Sequence, residues 1–201
     1  MKRAGTPFAN VSPEQFRAVS QAERASGVGA ILRQRLARLP DLAPGDRPCW
    51  VALGQVRSQG NFGTLVRSAA ACGAAGFILL DPSLDPFDPA VVRPTMGTLF
   101  QQTLARATID ELRIWVRRHR LQVIGASPDG ALAYASVSFH HPTVLMLGEE
   151  RRGLTSEQQS LCQQMVRIPM AVGVDSLNMA VAGSLLLFEI VRSLRQPSIR
   201  V

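Results

Sequence analysis

Residues 49–73 read CWVALGQVRSQGNFGTLVRSAAACG and join a short apolar run to a helical pattern through a glycine-containing loop. The run Cys49–Leu53 has the length and composition of a strand buried on both faces, whereas residues 62–72 repeat apolar side chains at helical spacing. The alternation of strands and helices along the chain predicts an α/β fold with a mainly parallel sheet and flanking helices. Further strands are predicted at 76–80, 122–126, 143–147 and 166–170, and further helices at 109–120, 156–164 and 178–194.

Two basic helices are predicted ahead of this pattern. Ser12 is suited to cap the first helix, with Pro13 at its first position and Gln15 completing a capping box, and this helix is expected to reach about residue 25. A second helical pattern covers residues 30–39 and ends at a proline. We therefore expect residues 1–47 to form a basic helical extension and residues 48–201 to form the main domain.

The composition is that of a folded globular protein, with 46% apolar and 18% charged residues. The formal net charge of +7 favours a polyanionic partner such as nucleic acid, although a surplus of this sign also attracts membranes or serves solubility alone. Aromatic residues make up only 5% of the chain, which weakens the case for an extended base-stacking surface.

The cysteines and the hydropathy give no sign of a metal site, a disulfide framework or a membrane span. Cys49, Cys72 and Cys162 are far apart and form no CxxC pair, so they are expected to be small buried side chains. The first residues lack an apolar signal core, and no apolar run is long enough to span a bilayer. We expect a cytoplasmic location and no membrane partner.

The first unusual loop leads into the helix at residues 62–72. Asn61 is expected to cap this helix, Gly63 permits a close approach of backbone or ligand, and Arg67 lies one turn further on the same face as Gly63. An ordinary capped helix with a solvated arginine would also explain these residues. Neither GxGxxG nor GxxxxGK[ST] is present, so dinucleotide and P-loop sites are not indicated.

Two further loops follow predicted strands. Residues 147–154, LGEERRGL, place two acids after a buried strand, and a carboxylate there needs a partner, so Glu149 or Glu150 should be paired; a salt-bridged surface turn is the alternative. Residues 168–183 contain Ser176 and Asn178, which can both bind free N–H groups at a helix start that also suits an anion. Helix capping alone would explain both residues.

Taken in this order, the three stretches resemble the motifs of the SpoU (TrmH-type) RNA methyltransferases of the SPOUT superfamily. NFGTLVRSAAACG, LGEERRGL and IPMAVGVDSLNMAVA are similar to NxGxxxRxAxxxG, LGxExxGL and IPMxGxxxSLNxxxA. The main departure is the extra residue at Ala171-Val172, and the resemblance covers about residues 51–192.

The resemblance implies a SPOUT methyltransferase fold with a C-terminal deep trefoil knot, a homodimer, and S-adenosylmethionine as the cofactor. Main-chain groups of the knot loops are expected to hold this cofactor. The residues that match these positions are Leu147, Gly148, Glu149, Ile168, Met170, Ser176, Leu177 and Asn178.

The resemblance also assigns catalysis to Arg67, with Asn61, Glu150, Ser176 and Asn178 supporting it. Methyl transfer from a sulfonium is a single in-line displacement that needs positioning and deprotonation, so no metal is expected. Because a guanidinium stays protonated in nearly all proteins, we expect Arg67 to stabilise the developing alkoxide or to bind a neighbouring phosphate.

The substrate implied is RNA, methylated on a ribose 2′-hydroxyl of rRNA or tRNA. Arg67 and the basic residues Arg33, Arg35 and Arg38 are candidates for RNA contact, although the latter three could instead pack on a partner subunit. The alternative is a catalytically silent SpoU-like RNA-binding protein acting in ribosome assembly or regulation. The five polar motif positions are all filled by the expected residue types, which favours the enzyme.

Overall fold

The structure of the protein is a computed structural model that describes residues 7–20 and 27–195. The chain divides into two compact units between Gln34 and Arg35. Residues 35–47, assigned above to the N-terminal extension, therefore belong with the larger second unit.

The first unit contains one described helix, α1 (Pro13–Ser20). Ser12 Oγ accepts the backbone N–H of Gln15 at 3.2 Å, and the Gln15 side chain accepts the backbone N–H of Ser12 at 2.9 Å. The predicted capping box is therefore confirmed. The predicted continuation of this helix beyond residue 20 lies outside the described residues.

The second unit is built on a single sheet of eight strands in which every neighbouring pair is parallel. The strands are β1 (Ala37–Arg38), β2 (Cys49–Leu53), β3 (Gly76–Leu79), β4 (Thr103–Arg106), β5 (Gln122–Ala126), β6 (Leu132–Ala133), β7 (Thr143–Leu147) and β8 (Gln164–Arg167). Their order across the sheet is β1-β4-β3-β2-β7-β5-β8-β6. The expected α/β fold with a parallel sheet is confirmed.

Helices cover both faces of this sheet and separate two hydrophobic cores. On one face α2 (Gln59–Cys72) and α6 (Met179–Arg195) pack over the core that contains Leu53, Phe77 and Leu147. On the other face α4 (Ile109–His119) and α5 (Ser156–Leu161) pack over the core that contains Trp50 and Trp115. The short helix α3 (Pro89–Val92) packs against α2. Burial on both faces explains why the central strands are continuously apolar.

The prediction of a second basic helix at residues 30–39 is wrong. Residues 30–36 form no helix, and β1 pairs in parallel with the end of β4. Leu39 follows β1 and is completely buried beside Trp50 and Trp115. Pairing with an edge strand and burial of this side chain outweigh a weak local preference for helix.

Two boundaries after β7 also differ from the predictions. The helix predicted at 156–164 ends at Leu161, and the strand predicted at 166–170 is instead β8. The N–H of Gln163 already donates to the β5 residue Val123, and Gln164 pairs with Ile124. The pairing therefore starts early, and it stops before Pro169, which has no N–H to donate to the sheet.

The three cysteines are free, with Cys49 and Cys72 buried and Cys162 half-buried. Burial raises the pKa of the Cys49 thiol and raises the pKa of the Cys162 thiol to about 12. Both groups therefore stay protonated at neutral pH. The expected burial is confirmed for Cys49 and Cys72, whereas Cys162 is partly exposed. Within the described residues, no helix is long and apolar enough to cross a membrane.

Gly63 allows α2 to lie directly against α3. A Cβ at this position would overlap the carbonyl oxygen of Val91 and crowd the side chain of Pro94. Gly60, one turn earlier in the same helix, has open space around the corresponding position. The two glycines therefore differ in their surroundings although they are only three residues apart in the same helix.

We expect Gly63→Ala to lower the free energy of unfolding by about 1–3 kcal/mol, because the added methyl group displaces packed backbone. The matched variant Gly60→Ala should be neutral or stabilise the helix by up to about 1 kcal/mol, because alanine favours helix more than glycine does. Urea unfolding of both variants measures the difference. Equal effects would show that the close contact with α3 is unimportant.

Candidate functional site

The site lies at the ends of two neighbouring strands, β2 and β7, after which the chain continues on opposite faces of the sheet. Leu53, at the end of β2, pairs with Leu147, at the end of β7, and the N–H of Gly54 donates to the carbonyl of Leu147 at 2.9 Å. The chain continues from β2 through α2 on one face, and from β7 through α5 on the other face. Such a switch in strand order opens a crevice at the carboxyl edge of a parallel sheet, which is where ligands bind in this class of fold.

The loop after β2 ends in a helix cap that differs from the predicted one. The cap is Ser58, whose Oγ accepts the backbone N–H of Asn61 at 3.3 Å. Asn61 therefore lies inside the first turn of α2, and its prediction as the capping residue is wrong. Ser58 has the extended backbone of a capping residue and directly precedes α2. The Asn61 side chain is therefore not needed as the cap and can contact another loop.

The loop after β7 is bound to the loop after β2 through both of its acids. The carboxylate of Glu150 accepts the backbone N–H groups of Arg57 and Ser58 at 3.3 and 3.4 Å. Glu149 is buried, and its Oε1 lies 2.5 Å from Nε of Arg57, at ion-pair distance but without the geometry of a hydrogen bond. The expectation that a carboxylate here needs a definite partner is confirmed for both residues.

The loop before α6 joins the site through Asn178. Its Nδ2 donates to Oδ1 of Asn61 at 2.9 Å, and its own Oδ1 accepts the backbone N–H groups of Ala180 and Val181 at 2.9 and 3.3 Å. Asn178 therefore caps α6 and contacts α2 with the same amide. Ser176 lies in the exposed loop, and its side chain makes no capping hydrogen bond to the described start of α6.

Arg67 is exposed on α2, and no described residue ion-pairs or hydrogen-bonds with its guanidinium. It follows Gly63 by four residues and therefore shares the helix face that packs on α3 and the turn at 93–101. Asn61 and Asn178 are hydrogen-bonded to each other, and Glu150 binds the loop that precedes α2. The Arg67 side chain makes no described hydrogen bond or ion pair with these residues.

The residues predicted to hold the cofactor lie in these same loops. Leu147 is buried at the end of β7, and a side chain at Gly148 would overlap the backbone of Gly153. Glu149 is buried as described above, whereas Ile168 and Met170 are half-buried just after β8. Ser176, Leu177 and Asn178 lie in the exposed loop that leads to α6. Whether these residues bind the cofactor stays a prediction.

The three arginines predicted to capture RNA do not form a helical face. Arg33 is exposed in the first unit, and Arg35 and Arg38 are exposed in the second. Arg38 lies at the carboxyl end of β1, with Nε 4.0 Å from Oδ2 of Asp41. Because β1 is three strands from β2, Arg38 lies about 14 Å from the site along the same edge of the sheet.

Arg57 and Ser58 are site residues that the sequence patterns did not predict. Arg57 has no signal in the sequence, because its partner Glu149 is 92 positions away and only the pairing of β2 with β7 brings them together. Ser58 precedes the helix, and its Ser-x-x-Asn spacing could have been recognised as an alternative cap. Among the described residues, no group of three His, Cys, Asp or Glu side chains is placed to hold a metal ion.

Comparisons with known proteins agree with this arrangement. The sequence profile of the SpoU rRNA Methylase family matches residues 48–188. The 23S rRNA (uridine(2479)-2'-O)-methyltransferase of Streptomyces viridochromogenes is 36% identical over 141 residues, which are 67% of this chain and 49% of that protein. The AdoMet-bound rRNA methyltransferase of Sinorhizobium meliloti superposes with a TM-score of 0.76 and 38% identity, over 81% of this chain and 63% of that chain. The AdoMet complex of the SpoU methyltransferase AviRb from S. viridochromogenes superposes with a TM-score of 0.69 and 34% identity, over 72% of this chain and 57% of that chain.

The fold and the site define an α/β protein with an all-parallel sheet and a ligand crevice at a switch between two strands. The family match covers most of the second unit, and the three loops that meet in the structure lie within the matched residues. The chain belongs to the SpoU rRNA methylase family. It spans about half the length of the curated relatives that it matches.

We expect Asn178→Ala to lower the free energy of unfolding by about 0.5–2 kcal/mol, because the start of α6 loses its cap. Ser176→Ala, two residues earlier in the same loop, should change it by less than about 0.5 kcal/mol, as is usual for an exposed side chain. Urea unfolding compares the two variants. A larger loss in Ser176→Ala would contradict the assignment of Asn178 as the cap.

Proposed function

We propose that this protein transfers a methyl group from S-adenosylmethionine (AdoMet) to a ribose 2′-hydroxyl of rRNA or tRNA. The observation that carries the proposal is the direct hydrogen bonding that joins the three motif loops through Glu150, Ser58, Asn61 and Asn178. The relatives are named as rRNA methyltransferases, and two of the compared structures contain AdoMet.

The loops that we assign to AdoMet combine exposed chain with apolar side chains. The loop at 171–178 is exposed, and it directly follows the half-buried apolar residues Ile168 and Met170 in the chain. The close approach of Gly148 to Gly153 keeps the neighbouring loop narrow. We therefore assign AdoMet binding to residues 147–149, Ile168, Met170 and residues 176–178. When bound, AdoMet supplies an electrophilic methyl group on a sulfonium.

Arg67 is the residue to which we assign the reacting ribose. Its guanidinium is exposed and has no described partner, so it is available to an anionic ligand. A permanently charged group in this position stabilises the oxygen as it loses its proton and can also hold the adjacent phosphate. Asn61, Glu150, Ser176 and Asn178 act as supporting residues, with Asn61 and Asn178 keeping the start of α2 beside the start of α6.

The proposal predicts that purified protein transfers labelled methyl from AdoMet to rRNA or tRNA transcribed in vitro, with the product resistant to alkaline hydrolysis. Arg67→Gln should lower kcat by about 10²–10³ because one stabilising donor is removed. Its affinity for AdoMet, measured by calorimetry, should be unchanged. Arg67→Lys should recover little activity if the planar guanidinium is required.

Arg118→Gln is the matched control, because it removes the same charge from the exposed surface of α4 on the opposite face of the sheet. It should retain full activity. RNA binding by the wild-type protein without methyl transfer to any rRNA or tRNA would instead support the silent binding protein.

We also propose that the segment from β8 through α6 forms the deep trefoil knot of the SPOUT fold. The support is the path of the chain, which leaves β8 beyond β5 and returns to pack α6 on β2 and β7. Gly183 of α6 lies against side chains of both Leu65 and Leu147, so α6 contacts both α2 and the sheet.

We propose that the protein is a homodimer that pairs through the outer face of α6. Val181, Leu185 and Phe188 are exposed at the spacing of one helix face, while the opposite face of α6 is buried against the core. An apolar stripe on the surface next to the site is the kind of patch that marks an interface. A second copy is the occupant that family membership favours.

The double variant Leu185→Glu with Phe188→Glu should be monomeric in sedimentation velocity experiments, because two charges would be buried in the interface. Ile114→Glu places a charge on an apolar residue of α4 that is more exposed than Leu185 and Phe188, and it should leave the dimer intact. A wild-type protein that stays monomeric at all concentrations would overturn the proposal.

A further inference from the structure

The buried carboxylate of Glu149 holds two arginines at the rim of the site. Its side chain is only 5% exposed. Nε of Arg57 lies 2.5 Å from one carboxylate oxygen, and Nε of Arg152 lies 3.8 Å from the other. Neutralising Glu149 requires one cation, and Arg57 supplies it at the shorter distance. The second guanidinium is therefore held beside the site without being needed for charge balance.

Both guanidinium groups reach the solvent. The Arg57 side chain is 48% exposed and the Arg152 side chain 82% exposed, and in each the nitrogen closest to Glu149 is Nε. No described residue hydrogen-bonds with the Nη groups of either arginine. Such groups are the donors that bind phosphate oxygens in a bidentate manner.

The local charge is positive. The two loops contain three arginines and two acids, which are Arg57, Arg151, Arg152, Glu149 and Glu150. Arg151 is also exposed. The carboxylate of Glu150 is occupied by the backbone N–H groups of the loop after β2, so it does not pair with an arginine. An anion that bound between Arg57 and Arg152 would meet no free carboxylate among these residues.

The arginine pair is also attached to the residues that form the site. Arg57 is followed directly by Ser58, which caps α2, and α2 carries Asn61 and Arg67. Arg152 lies in the same loop as Glu150. A phosphate bound by the pair would therefore lie at the carboxyl edge of the sheet, beside the crevice between β2 and β7.

We propose that Arg57 and Arg152, anchored by Glu149, form a binding site for a backbone phosphate of the RNA next to the nucleotide that is methylated. This inference rests on the proposed function. A phosphate contact of this kind positions the RNA without reading its sequence. The arginine pair therefore acts on the binding and placement of the RNA, whereas Arg67 acts on the reacting oxygen.

The test compares Arg152→Gln with Arg118→Gln, two exposed arginines whose loss changes the net charge equally. The probe is rRNA transcribed in vitro, with binding measured by filter retention at potassium chloride concentrations between about 50 and 200 mM. For Arg152→Gln, the slope of log Kd against log salt should become shallower by about 0.7–0.9, the value for one lost phosphate contact. Arg118→Gln should leave the slope unchanged.

Further variants separate charge from structure. Arg152→Lys keeps the charge and should restore the slope. Because both arginines bind the same phosphate, adding Arg57→Gln to Arg152→Gln should make the slope only slightly shallower than Arg152→Gln alone does. Affinity for AdoMet should stay within twofold of the wild type in the single Arg152 variants. In methyl transfer, Arg152→Gln should raise KM for the RNA and leave kcat nearly unchanged.

Two results would overturn the inference. One is an identical salt slope in Arg152→Gln and Arg118→Gln, and the other is a loss of AdoMet affinity in Arg152→Gln, which would make the pair a structural clamp. Failure of the proposed function is seen separately, because wild-type protein would then transfer no methyl group to the RNA.

Discussion

The parallel pairing of β2 with β7 is the constraint on which the site depends. Leu53 and Leu147 end these strands side by side, so the loops that follow must begin within one strand spacing of each other. One chain then continues on one face of the sheet and the other on the opposite face, which is the kind of position where ligands bind in parallel sheets. The polar residues of both loops meet here although 92 positions separate Arg57 from Glu149.

The polar residues at the crevice satisfy one another in a continuous series. Glu150 binds the loop that contains Ser58, Ser58 binds the first turn of α2, and Asn61 of that turn accepts a hydrogen bond from Asn178. An asparagine suits the last position because one amide offers both an acceptor for the start of α6 and a donor for α2. This arrangement holds two helix starts together, while the exposed side chain of Arg67 has no described partner.

The charges of the site divide into a neutralised interior and a basic rim. The two acids are both engaged, Glu149 by arginine and Glu150 by backbone N–H groups. The exposed groups around them are guanidiniums, in agreement with the net charge of +7. Burying a carboxylate costs several kcal/mol unless it is paired, so Glu149 requires at least one of these arginines.

The sequence by itself determined the central strands β2, β5 and β7 and the chemistry of the loops. Continuous apolar runs predicted β2, β5 and β7 with their observed bounds, because strands buried on both faces need no alternation. Three local motifs also identified the loops that carry the site, since each motif lies within one stretch of chain. Residues 30–39 show the limit of such reasoning, because their helical spacing was overruled by the pairing of β1 with β4 and by burial of Leu39.

Only the tertiary structure decided which side chains of different loops meet. The sequence offered Asn61 as a helix cap, but the cap is Ser58, and Asn61 instead contacts a residue 117 positions away. Arg57 gave no signal at all, because an ion pair across two loops has no local spacing to reveal it. The physical reason is the same in each case: hydrogen bonds and ion pairs act over a few ångströms in space, and strand pairing sets that distance independently of separation along the chain.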